Sequence, residues 1–176
     1  MFEDISERDQ LEHFQRAYKD ATGEWLRRVC KSERPDYICA RPDGALVGIE
    51  FTLITRKQNE SILENILDDA EYMNGLDGVD AVANAILRKA RKRREADWKL
   101  PDSSILVLST PDCPISEMED HLCLDLQPEF AESGFSEIWI ADHTETDAYG
   151  TIDLFGLVPR KWWGYHPAPW AGKPYG

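Results

Sequence analysis

The chain has 176 residues, of which 42% are apolar and 30% are charged, and its formal net charge is −13. This length is enough for one folded domain with a full hydrophobic core, and no apolar run is long enough to cross a bilayer. The strong negative charge argues against a protein that wraps duplex nucleic acid, because phosphate contacts need a basic surface.

The N-terminus and the cysteines predict a cytoplasmic protein without a membrane partner. Residues 1–7 contain no basic region followed by an apolar run, so no secretory signal is expected. The cysteines show neither Cys-x-x-Cys spacing nor zinc-type pairing with histidine, and we expect them to be reduced and mostly buried. They are Cys30, Cys39, Cys113 and Cys123.

The first part of the chain predicts a helix and a short strand. Leu11, Phe14 and Tyr18 recur at helical spacing, which predicts a helix over residues 5–22. A short strand is expected over residues 24–30.

A β-hairpin is predicted next. Pro42-Asp43-Gly44 is typical of a turn, because proline presets φ and glycine tolerates positive φ. The apolar, β-prone runs on each side predict strands over residues 37–40 and 46–54.

Helices and strands alternate in the rest of the chain. Residues 58–99 are expected to form two helices, broken at Asn74-Gly75 and Asp77-Gly78, because these pairs favour turns. The near-continuous apolar run over 104–109 is typical of a strand buried on both faces. The second of the two helices is expected over 79–98. A further helix is expected over 115–133, either continuous or interrupted at Pro128, and the last strands over 135–141 and 151–157.

The predicted order is α-β-β-β-α-β followed by α-β-β, which indicates an α/β fold. Strands separated by helical crossovers favour a mixed sheet with helices on both faces. We expect the strand over 46–54 to lie between those over 37–40 and 104–109.

Two acidic residues stand out in the hairpin. Asp36 opens its first strand, and Glu50 lies inside the otherwise apolar second strand. Carboxylates are costly to bury unless they are paired or bind a metal, and two of them on neighbouring strands suit a hard cation. In the alternative interpretation, Asp36 caps a turn and Glu50 pairs with an internal arginine.

The motif Pro35-Asp36 followed by Glu50-Phe51-Thr52 resembles that of the PD-(D/E)xK nuclease superfamily. The order of the first six elements also resembles the core of that superfamily, over roughly the first two-thirds of the chain. The resemblance implies a restriction-endonuclease-like mixed central sheet flanked by helices, in a single nuclease-like domain over residues 1–176. It also implies phosphodiester cleavage that depends on Mg²⁺ or Mn²⁺.

The resemblance implies roles for individual residues. Asp36 and Glu50 would be catalytic metal ligands. A third acid often comes from the first helix in the superfamily, where Glu12 is the first choice and Glu7 the second.

The motif lysine is missing, because Thr52 stands in its place. A neutral threonine cannot stabilise negative charge on a phosphate as a cation does. In the superfamily the lysine can migrate to the following helix, and there Lys89 is favoured as the catalytic cation over Lys92. Lys57 is a weaker choice, and the other explanation is that catalysis has been lost.

A basic run covers residues 88–99, with seven basic and two acidic residues, a local charge of +5. Arg88, Lys92 and Arg93 are the candidate nucleic-acid contacts, because such a run can guide a polyanion. The alternative is a solvated helix face with pairing between residues four apart.

The tail over residues 159–176 is rich in aromatic residues and proline, so it is expected to be extended. It would pack over the sheet, form a homodimer contact, or offer a platform on which bases stack. Two functions therefore stay open: a metal-dependent nuclease, or a catalytically inactive relative that binds a protein partner through its acidic face and aromatic tail.

Overall fold

A computed structural model of the chain describes residues 7–55, 73–96, 101, 103–144 and 151–169. These residues form a mixed seven-stranded sheet with helices packed on both faces. The strands are β1 (Arg27–Lys31), β2 (Tyr37–Ala40), β3 (Leu46–Leu53), β4 (Ser104–Thr110), β5 (Glu137–Asp142), β6 (Asp153–Val158) and β7 (Gly164–His166). The helices are α1 (Glu7–Thr22), α2 (Gly75–Ala96), α3 (Ile115–Met118) and α4 (Gln127–Ala131).

The strands lie side by side in chain order, from β1 at one edge to β7 at the other. The three central strands β3, β4 and β5 are parallel, and the outer pairs are antiparallel. β3 lies between β2 and β4, as the sequence predicted. All seven residues of β4 are buried, which explains its continuous apolar sequence.

Two apolar clusters cover the two faces of the sheet. Ile49 and Val107 belong to the cluster under α1, whereas Leu106 and Leu108 belong to the cluster under α2. Because side chains alternate along a strand, Glu50, which is paired in register with Leu106, lies on the α2 face.

The start of α2 differs from the expected one. The helix begins at Gly75, where the Asn74 side-chain oxygen accepts the Asp77 N–H at 2.9 Å and caps the first turn. The break expected at Asp77-Gly78 is wrong, because both residues lie inside α2. A Cβ at Gly78 would come within 2.6 Å of the Cys113 sulfur, so the glycine permits close packing.

The helix expected over 115–133, either continuous or interrupted at Pro128, is also wrong. The segment contains α3, two 3₁₀ turns (Glu119–His121 and Leu124–Leu126) and α4. The backbone is extended at Leu122 and Cys123, which buries the Leu122 side chain and breaks the helix before Pro128 is reached. Pro128 lies in the first turn of α4, a position that tolerates proline.

The tail packs against the sheet and adds the edge strand β7 after a 3₁₀ turn at Arg160–Trp162. Trp162 lies against Trp139 on one face, with 6.3 Å between ring centroids, and Trp163 lies against Phe155 on the other at 5.6 Å. The extended, sheet-packed form of the tail was predicted, but its strand was not.

Several predictions fall outside the described residues. They concern the first part of the 58–99 segment, Lys57, the side chain of Glu7 and residues 170–176. The cysteine prediction is wrong for two of the four, because Cys30 and Cys123 are exposed, although all four are free thiols. Within the described ranges, no helix is long and apolar enough to span a membrane.

Gly156 provides a test of the tail packing. A Cβ at this position would lie 2.1 Å from the Trp162 carbonyl oxygen. We expect Gly156→Ala to lower the unfolding free energy by about 3 kcal/mol, because the tail must move away from β6. Chemical denaturation measures the loss, and Trp fluorescence reports the displaced ring.

Gly44→Ala is the control for this test. Gly44 has a φ of +88° and no atom near its missing Cβ, so only the left-handed backbone is penalised, by about 1 kcal/mol. Equal losses in the two variants would contradict the described tail packing.

Candidate functional site

Asp36 is held against the backbone of β3 by two local features. The Pro35 ring packs over Gly48, where an added Cβ would lie 2.5 Å from the proline Cγ. One Asp36 carboxylate oxygen accepts the N–H of Phe51 at 2.8 Å. The aspartate is therefore fixed beside Glu50, which precedes Phe51 on β3.

Glu50 is a buried acid with only part of its hydrogen-bonding capacity used. The residue is 6% exposed. Its Oε1 lies 3.5 Å from the Lys89 ammonium. Its Oε2 is buried and has no hydrogen-bond partner among the residues that the structure describes. A buried polar atom left without a partner is costly, so this oxygen is suited to receive a ligand.

The surroundings of Glu50 oppose its ionisation. Burial, and after it the neighbouring Asp36 charge, raise the pKa of its carboxyl from 4.5 to about 7. The Lys89 charge acts the other way but does not compensate. Another positive charge next to this pair would favour the ionised form.

Lys89 reaches this position because of the apolar stripe of α2. Ala85, Ile86 and Ala90 are buried against the sheet. Lys89 follows Ile86 by three residues and Ala85 by four, so it shares their side of the helix. Its side chain is 18% exposed and points its ammonium at Glu50. The structure thus brings together the three predicted residues Asp36, Glu50 and Lys89.

Glu50 and Lys89 line a cleft of about 420 Å³ between the β1–β2 loop and the C-terminal half of α2, and Asp36 lies beside Glu50. The lining residues are Glu33, Arg34, Glu50, Lys89, Lys92, Glu95 and Ala96. Three of the lining side chains are cationic and three are acidic, so the cleft offers carboxylates for a cation beside groups that can pair with a phosphate. Sequence reasoning missed Arg34, although its place directly before Pro35-Asp36 could have indicated it.

The other predicted residues lie elsewhere. Glu12 is on α1, which covers the opposite face of the sheet, and it pairs with Arg8 at 3.5 Å. The structure does not bring it to Glu50. No group of three or more His, Cys, Asp or Glu side chains suited to a metal occurs in the described part of the chain.

The three predicted nucleic-acid contacts do not share one location on α2, and Thr52 lies on a different element, β3. Of the three basic candidates, Lys92 lines the cleft and Arg88 is exposed outside it. Arg93 packs its guanidinium over the Phe135 ring, 5.6 Å from the centroid, so its place is against the core. Thr52 is buried on the same face as Glu50, two residues further along β3.

A second buried glutamate, Glu137, shows what a fully paired acid looks like in this protein. It is also 6% exposed, but it lies under α1. The Arg41 guanidinium binds it at 2.5 Å, and Tyr18 and Trp139 donate hydrogen bonds of 2.9 and 3.0 Å. Sequence reasoning missed this network, because Arg41 and Glu137 are 96 residues apart.

No protein-family model matches this chain, and no curated protein or solved structure is detectably similar to it. The function must therefore be inferred from the site itself.

The contrast between the two glutamates predicts opposite effects of removing their charge. In the presence of EDTA at pH 8, we expect Glu50→Gln to raise the Tm. Folding raises the pKa of Glu50, so the ionised carboxylate lowers the stability of the folded state, and this cost is fully present above about pH 7. The gain should shrink as the pH falls from 7 towards 4.5, because wild-type Glu50 then becomes protonated.

Glu137→Gln is the matched control, with equal burial and the opposite expectation. It weakens charge-assisted hydrogen bonds from Arg41 and Tyr18, so the Tm should fall at pH 8. Thermal unfolding followed by circular dichroism gives both values. A Tm loss for Glu50→Gln similar to that of Glu137→Gln would show that Glu50 is a structural ion pair.

Proposed function

We propose that the protein is a metal-dependent nuclease that cleaves phosphodiester bonds at the Asp36–Glu50 pair. The observation that carries this proposal is the buried, unpartnered Oε2 of Glu50, beside a second carboxylate and the Lys89 ammonium. A carboxylate kept in this state costs stability, and ligand binding explains why the fold retains it.

The donor set fits Mg²⁺ or Mn²⁺. Both side chains supply hard oxygen donors, and Mg²⁺ commonly binds one or two carboxylates while keeping several waters. Asp36 and Glu50 would hold the ion. When bound, such an ion polarises the scissile phosphate and lowers the pKa of a bound water.

The cations of the cleft account for the missing motif lysine. The Lys89 ammonium is held between α2 and the sheet, where it would stabilise negative charge that develops on the phosphate. Lys92 and Arg34 line the same cleft and would bind the flanking phosphates. Thr52 has no charge to contribute.

The topology supports a restriction-endonuclease-like fold. The order α1-β1-β2-β3-α2-β4 and the sheet positions of these strands agree with the core of the resembled superfamily. Asp36 directly precedes β2, and Glu50 lies on the adjacent strand β3, which is close to the placement that the resemblance implies.

A second candidate function is partner binding without catalysis. Residues 112–132 contain seven acidic residues and no lysine or arginine, and such a surface suits a basic partner. The tail gives this alternative less support, because Trp162 and Trp163 pack inward. Calorimetric titration with Mg²⁺ separates the two functions, because only the first requires binding at Asp36 and Glu50.

The proposal predicts that Lys89 supplies the catalytic cation. We expect Lys89→Ala to slow metal-dependent cleavage by about 10²–10³-fold, because the charge on the phosphate loses its stabilising partner. Fluorescently labelled DNA and RNA oligonucleotides, incubated with Mg²⁺ or Mn²⁺, measure the rate. Circular dichroism checks that the variant is folded.

Thr52→Ala is the control and should reduce cleavage much less. If the wild-type protein cleaves neither DNA nor RNA, the nuclease proposal is wrong and the partner-binding alternative remains. If Lys89→Ala cleaves as fast as the wild type, the cation is another residue, with Lys92 and Lys57 as the next variants.

A further inference from the structure

The edge strand β1 is the most basic exposed strand in the described sheet. All five of its residues are exposed, and three of them are cationic: Arg27, Arg28 and Lys31. Among the described strands, β1 has a neighbour only on one side, β2. Within the part of the chain that the structure describes, its outer backbone edge is therefore not covered by another strand, and its side chains are exposed.

The cations continue from β1 into the cleft. Residues 27–34 contain four basic residues and one acidic residue, a local charge of +3 in a chain of net charge −13. Arg34, at the end of this segment, lines the cleft beside Glu50 and Lys89. The segment thus joins an exposed basic edge to the proposed catalytic residues.

An aromatic side chain lies at the other end of this segment. Trp25 is 43% exposed, two residues before β1 begins. An exposed aromatic ring next to cations is the combination on which single-stranded nucleic acids bind, with bases stacked and phosphates paired. From Trp25 to Lys31 an extended chain covers roughly 20 Å, which is enough for a short oligonucleotide.

The register of β1 against β2 places the cationic side chains of β1 on both faces of this sheet edge. Arg28 is paired with Cys39 and Lys31 with Tyr37, so both lie on the α1 face, and Arg28 also stacks 5.4 Å from the Tyr37 centroid. Arg27, one residue before Arg28, lies on the other face. A cationic ridge one strand wide suits a single phosphodiester backbone, whereas a duplex needs a broad basic surface.

We propose that this ridge, from Trp25 through β1 to Arg34, binds the backbone of a single-stranded nucleic acid and leads it into the cleft. The inference rests on the proposed nuclease function and names its substrate class.

The experiment measures binding without cleavage. Fluorescence anisotropy of a labelled 12-nucleotide oligo(dT), in EDTA, is compared with a duplex of the same length. The full-length protein should bind the single strand more tightly. Arg27→Glu/Lys31→Glu should weaken this binding at least tenfold and reduce its salt slope by about 1.4, because two phosphate contacts are lost. Trp25→Ala should weaken it about tenfold.

Arg160→Glu/Lys161→Glu is the matched control. It makes the same change in net charge at two exposed residues near the opposite edge of the sheet. It should weaken binding far less than the ridge variant. Circular dichroism verifies that each variant is folded.

Three results would overturn the ridge proposal: equal losses of affinity in the ridge and control variants, tighter binding of the duplex, or equal binding of a polyglutamate peptide of the same charge.

Failure of the ridge proposal and failure of the nuclease proposal are distinguishable. If the protein cleaves nucleic acid but the ridge variant binds the oligonucleotide as tightly as the wild type, only the ridge proposal is wrong. If the protein binds the oligonucleotide through the ridge but cleaves neither DNA nor RNA, only the nuclease proposal is wrong.

Discussion

The ionised carboxylate of Glu50 is costly at its position on the α2 face of the sheet. Burial and the adjacent Asp36 charge both oppose its ionisation, and one of its oxygens has no partner among the described residues. The neighbouring structure maintains this arrangement. The Pro35 ring over Gly48 holds Asp36 in place, and the stripe of α2 holds Lys89. The proposed chemistry depends on this one buried charge.

Two equally buried glutamates show that burial alone does not create such a site. Glu137 has donors on both oxygens, from Arg41, Tyr18 and Trp139, so its charge joins α1, the hairpin and β5. Glu50 has only Lys89 and an acidic neighbour. A polar network that is satisfied rigidifies a fold, whereas one that is incomplete costs stability and marks a place for a ligand.

The parts of the fold that local patterns determine could be predicted from the sequence. Alternating and continuous apolar runs located β2, β3 and β4, and the spacing along α2 favoured Lys89, which the structure places at Glu50. Contacts between distant segments could not be predicted in this way. The Arg41–Glu137 pair depends on sheet register, β7 depends on packing of a proline-rich tail, and Glu12 lies under the opposite face because α1 crosses there.

The central claim is that Asp36 and Glu50 bind one divalent cation. Crystals of the protein soaked in Mn²⁺ test it most directly, because the anomalous signal of manganese locates the ion independently of its ligands. The account predicts a peak between these two carboxylates in the wild type and its loss in Glu50→Gln crystals. A manganese peak at another position, with none between Asp36 and Glu50, would contradict the account.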